Sequence, residues 1–209
     1  MKTKSKNSFV DDVITLSFVP ILTQFIGLFL LPIITRLYDP YEFGLFNTFS
    51  SITAFLGVFS TLAYHSSILL PKNKKDAIYL LASCLIFNII FTILVLLAFV
   101  IFKDFLLEID DIRNLKNYLL LIPLFVFFHG LFQTLRYWNT RLKKFKIIAL
   151  SKITEGLLSK TLNIGYGFYI SNKVAGLIYG ILFASFFKNL ILFFSIKNHL
   201  KEFFNLSIK

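Results

Sequence analysis

Apolar runs of about 20 residues recur along the whole chain, with most charged residues in the short stretches between them. An α-helix of that length crosses ~30 Å of hydrocarbon at ~1.5 Å per residue. The first run, VITLSFVPILTQFIGLFLLPIIT, covers residues 13–35. Five more follow at 44–66, 78–102, 118–137, 147–170 and 174–196. The pattern predicts an all-α integral membrane protein, a bundle of six transmembrane helices in one transmembrane domain over residues 1–209. The aromatic load agrees. One soluble core of this size cannot enclose 27 Phe and nine Tyr and still turn a polar face to water. Only 16% of the residues are charged, against ~25% in soluble domains.

Pro20 and Pro32 fall inside the first run, with Gly27 between them. Proline deletes a backbone hydrogen bond and bends the helix, which makes this span a candidate moving part. The run is too long for a signal-peptide core and lacks a small-residue cleavage site, so it is expected to be retained. The one cysteine, Cys84, excludes an intrachain disulfide and a cysteine-based metal site. It lies in an apolar run and reads as a small buried hydrophobe.

The net charge of +11 does not signal nucleic acid, because the charges alternate by loop. The N-terminus, the PKNKKD loop, the RYWNTRLKKFK loop and the C-terminal tail together carry 14 Lys and Arg, and the opposite connections carry five. The latter also hold most of the acids, including Asp39, Glu42, Asp104, Glu108, Asp110 and Asp111. Such a bias places both termini in the cytoplasm.

Helical periodicity then sorts the polar residues inside the runs. His129, Gln133, Arg136 and Thr140 fall within about 60° of one another. Lys152, Glu155, Gly156, Ser159, Lys160, Asn163 and Tyr166 share an arc of about 140°. Asn47, Ser51, Thr61 and His65 line one edge of the second run, and Ser17, Gln24 and Thr35 one line of the first. One polar stripe per helix suits a bundle around a polar interior. The cations are the costly members, at about 2.5–3.5 kcal/mol each at membrane depth. Glu155 stands three residues from Lys152 and is expected to neutralise it. Lys160 and Lys188 then remain, either paired with an acid elsewhere or awaiting an anionic ligand, and the ligand is the favoured reading.

Other features read as structural. Gly176, Gly180 and Ala184 form a small-residue series for close helix packing. His65 and His129 read as hydrogen-bonded or interfacial, and Tyr137 and Trp138 as members of an aromatic belt. The sequence shows no phosphate-cradling glycine loop, metal-ligand cluster or nucleophile with a base. No cofactor and no enzymatic activity are expected.

The stretch from Arg36, RLYDPYEFGLFNTFSSITAFLGVFSTLAYHSSILLPKNKKDA, resembles the start of bacterial polysaccharide-export flippases. These are the O-antigen and capsule transporters of the multidrug/oligosaccharidyl-lipid/polysaccharide exporter superfamily. The resemblance rests on the arginine closing the first run, the D-P-x-E-F-G opening of the second, the LPKNKKDA loop and the RYWNTRLKKFK loop. It covers the whole chain in order. It implies an inner-membrane protein that flips undecaprenyl-diphosphate-linked oligosaccharide toward the periplasm, within surrounding membrane lipids. It also implies two six-helix lobes, of which this chain resembles the first. A fragment or truncated reading frame is therefore expected, with pairing of two copies as the alternative. For such a substrate the inner charges lead to the expectation that Lys160 and Lys188 meet the diphosphate and Arg136 and Lys152 guide its entry, while polar residues such as Asn163 and Gln133 suit sugar hydroxyls. Glu155 is the counter-ion. Two other readings stay open: a non-transporting scaffold or accessory subunit of a glycan-assembly complex, and a drug or ion antiporter of the same superfamily. Glu155 as the lone inner carboxylate weighs against the antiporter.

Overall fold

The computed structural model describes residues 6–169 and 173–207, with side chains at 18, 21, 24–109, 112–169 and 174–197. The lysines at 2, 4, 201 and 209, Ser17, Asp110 and Asp111 lie outside the described side chains. Among the described residues there is helix and no strand. Six long helices account for the six apolar runs: α1 (Lys6–Leu37), α2 (Pro40–Phe59), α3 (Lys74–Ile101), α4 (Ile122–Arg141), α5 (Phe145–Tyr169) and α6 (Lys173–Ser207). Among the described residues, three stretches are long and apolar enough to cross a membrane: Lys74–Ile101, Leu119–Arg141 and Val174–Lys197. As spans, α1, α2 and α5 rest on the sequence pattern.

The D-P-x-E-F-G motif is a helix start. Pro40 sits in the first turn of α2, where its missing N–H costs nothing, and the Asp39 backbone N–H donates to Glu42 Oε2 at 2.7 Å. This helix ends at Phe59, short of the expected 66. The cause is local. The Gly57 carbonyl accepts the Ser60 hydroxyl at 2.6 Å and His129 Nδ1 from α4 at 3.1 Å, in competition with the helical ladder. Leu62 and Ala63 then adopt left-handed backbone (φ 44° and 59°), and Tyr64–Leu69 forms a 3-10 turn. Thr61 and His65 therefore leave the expected edge of α2. Their side chains bond each other at 2.6 Å.

Arg141 rivets the same connection. Its guanidinium donates to the carbonyls of Ile68 (3.0 Å), Leu69 (3.4 Å), Pro71 (2.6 Å) and Asn73 (3.5 Å). Lys144 reaches across to the Ser195 carbonyl at 2.5 Å. Two of the basic loop residues counted as topology signals thus also hold the fold together.

At the centre stands α4, packed on α2, α3 and α6, while α5 packs chiefly on α6 and α1. Lipid is as apolar as leucine, so close contact and hydrogen bonds hold such helices together. Asn88 of α3 donates to the Phe127 carbonyl and Asn189 of α6 to the Phe128 carbonyl, each at 3.1 Å. Asn139 donates to the Leu192 carbonyl of α6 at 3.4 Å. One apolar cluster, around Leu81, Leu135, Trp138 and Leu192, fills the end of the bundle near the α4–α5 loop. A second, around Phe49, Leu115, Ile122 and Ile178, fills the opposite end. Trp138 is buried in the first cluster rather than placed in an aromatic belt. The outside suits lipid: Phe29 is 78% exposed, and Ile86, Ile90, Leu94 and Leu97 line the open face of α3.

Candidate functional site

Two polar regions form where α5 meets its neighbours. The first is a seam against α6 and the end of α1. Asn163 is buried there, and its amide, oriented to donate, reaches the Gly176 carbonyl (3.2 Å) and the Ser159 carbonyl (2.9 Å). The Tyr38 hydroxyl donates to the Asn163 carbonyl at 2.5 Å. Burial and the charge of Glu42 raise the Tyr38 pKa to about 12, so it stays a donor. A Cβ on Gly180 would collide with the Asn163 amide, and one on Gly176 would sit 2.7 Å from Tyr166 Cβ. The expected close packing of this small-residue series is realised. Asn163 is consumed by it, which corrects its assignment to substrate.

The second region is a cavity of about 200 Å³ between α2, α4, α5 and α6. Ser50 and Thr53 line it from α2, His129 from α4, Glu155 from α5, and Ser185 and Lys188 from α6. Lys188 Nζ lies 2.5 Å from Glu155 Oε1, and the Ser185 hydroxyl donates to the same oxygen at 3.3 Å. The ammonium also stands over the Phe132 ring, 4.1 Å from its centroid. The lysine side chain is 11% exposed and the glutamate 27%. Phe132 and the carboxylate thus hold the lysine from two sides, while the carboxylate keeps a face toward the cavity.

His129 is placed by α4 directly over Gly57, whose missing side chain makes room: a Cβ there would meet the ring at 2.9 Å. A carbonyl only accepts, so the bond to Gly57 requires the proton on Nδ1. In the neutral ring Nε2 is then an acceptor.

Beyond the cavity, toward the α4–α5 loop, the positive charge continues. The Arg136 guanidinium lies 5.0 Å from the Tyr137 ring centroid and 5.7 Å from that of Phe132. The Tyr137 ring in turn packs on His65 at 4.7 Å. Half-buried Lys152 feels the charges of Arg136, Glu155 and Lys188. Three cations and one carboxylate therefore share a field in a partly buried region, where charge acts more strongly than in bulk.

The structure thus joins four expected residues, Lys188, Lys152, Arg136 and Glu155. It corrects one pairing: Glu155 bonds Lys188 of the neighbouring helix, not Lys152 of its own. Gln133 shares the α4 face with His129 and Arg136 without lining the cavity, and its Oε1 is buried with no hydrogen-bond partner. Lys160 is half-buried on α5 and does not line the cavity either. Gln24, Thr35, Asn47 and Ser51 are exposed on the outside of α1 and α2. Sequence reasoning passed over Ser50, Thr53 and Ser185. Ser185 had a legible signal, three residues before Lys188 on one face of α6.

Residues 33–208 match the family model described as polysaccharide biosynthesis protein. No curated protein and no solved structure matches the chain.

Proposed function

Because the chain belongs to the polysaccharide biosynthesis protein family, we propose that it moves a diphosphate-linked lipid oligosaccharide across the bacterial inner membrane. The observation that carries this reading is the cationic tract of Arg136, Lys152 and Lys188, which carries a single carboxylate among the described residues. A charge kept at membrane depth is costly and marks a ligand path. Arg136 and Lys152 meet the anionic headgroup first, and Lys188 holds it at the cavity. Ser50 and Thr53 offer hydroxyls to the first sugar. The basic loops add attraction for an anionic headgroup at the membrane surface. Both termini are cytoplasmic in this reading, and the helices rock as a unit between open states.

The test is Lys188→Met introduced at the chromosomal gene. Surface polysaccharide is expected to vanish while the protein stays in the membrane at its normal level. Unchanged surface polysaccharide would remove the cavity from the transport path. Reporter fusions near Asp110 and after Lys209 check the topology, and a periplasm-active fusion at Lys209 would refute it.

A further inference from the structure

Within this reading of the cavity as a headgroup site, we propose that the Glu155 carboxylate is a resident substitute for the substrate's phosphate, displaced from Lys188 when a diphosphate binds. The geometry makes the two members of the pair unequal. Lys188 is the fixed one: it is nearly buried and stands on the Phe132 ring. Glu155 is the exchangeable one. It has more than twice the exposure, lines the cavity, and places both the lysine and the Ser185 hydroxyl on a single oxygen, Oε1. A phosphate oxygen entering the cavity can take that position and accept the same two donors. A dianionic group offers the ammonium more charge than a carboxylate does.

The displaced carboxylate must not be stranded, because an unpaired charge in this medium is costly. Lys152 solves this. It lies three residues earlier on α5, has no carboxylate partner among the described residues, and already feels the Glu155 charge. Glu155 therefore has two homes, Lys188 without ligand and Lys152 with it. The exchange breaks the link between α5 and α6 at the cavity, and that is the change a rocking transporter requires on loading. In the empty site the Lys188 ammonium is kept paired by the protein's own anion.

The experiment measures binding of a short-chain polyprenyl diphosphate to the purified chain in lipid nanodiscs, with inorganic pyrophosphate as the second probe. Glu155→Gln is expected to tighten diphosphate binding about tenfold, because no carboxylate has to be displaced. Lys188→Met is expected to abolish it. Glu155→Asp, which keeps the charge but shortens the reach, is expected to fall between wild type and Glu155→Gln and serves if the latter does not fold. Binding of both probes identifies the phosphates as the ligand. Binding of the lipid alone shows that the chain contributes as well, and binding of pyrophosphate alone points to a free-anion site. If binding needs Lys188 but neither Glu155 variant tightens it, the exchange is overturned and the headgroup site stands. If Lys188→Met binds as wild type does, the headgroup reading itself fails.

Discussion

The seam and the cavity lie along the same helix and are built from similar materials, yet they do opposite things. Each has polar groups of α5 facing α6. At the seam every amide donor has a backbone acceptor, and glycines bring the helices so close that no space is left. At the cavity a space of about 200 Å³ remains between the helices, and the polar groups face one another across room for a guest. A polar residue inside a span is thus no sign of function by itself. The space left around it decides whether it bonds a backbone or faces a cavity.

The largest effect expected from this contrast is at the cavity. Glu155→Ala leaves the Lys188 ammonium buried without its partner and should cost about 3–5 kcal/mol in unfolding titrations. The double variant Glu155→Gln/Lys188→Met should recover most of that stability and still fail to support surface polysaccharide. A double variant with normal polysaccharide would make the pair merely structural.

At the seam the order of losses reverses: stability falls and transport per folded molecule does not. Gly180→Ala drives a methyl group into the Asn163 amide and should cost about 1–3 kcal/mol. Asn163→Leu removes the bonds to Gly176 and Ser159, a loss of about 0.6–2 kcal/mol by the same titration. Polysaccharide output normalised to folded protein should match wild type in both. A drop specific to Asn163→Leu would restore that residue to the substrate path.

The smallest effects belong to α5 positions that join neither region. A Cβ at Gly165 meets nothing within 4 Å, so Gly165→Ala should be neutral or stabilising by up to about 1 kcal/mol. Lys160→Met should stay within about 0.5 kcal/mol of wild type and leave polysaccharide unchanged. Its comparison with Lys188→Met is the sharpest check on which lysine serves the ligand.

The helices and most of the charged cluster were legible in the sequence because their signals are local. Run length marks a span, and a three- or four-residue spacing marks a face. The partner of Glu155 was not legible. The i,i+3 rule sees Lys152 on the same helix, whereas Lys188 is 33 residues away on the next one. The early end of α2 was hidden for a similar reason. No Pro or Gly marks residues 60–63, and part of the competition for the Gly57 carbonyl comes from His129, 72 residues on. Trp138 looked like a belt residue because the end of α4 was taken for a lipid boundary, when Arg141 and the loop it holds cover that end.

The two asparagines that grip α4 have a mechanical consequence. Phe127 and Phe128 are successive residues, so their carbonyls sit about 100° apart around the helix. Asn88 holds one from α3 and Asn189 the other from α6. Turning α4 about its own axis in either direction strains one of these bonds, so the helix is keyed like a shaft between two stops. The side chains it carries into the cavity, His129 among them, therefore keep a constant heading relative to α3 and α6. Substituting either asparagine with leucine should let that heading wander, and cross-linking from position 133 to α2 would read the drift directly.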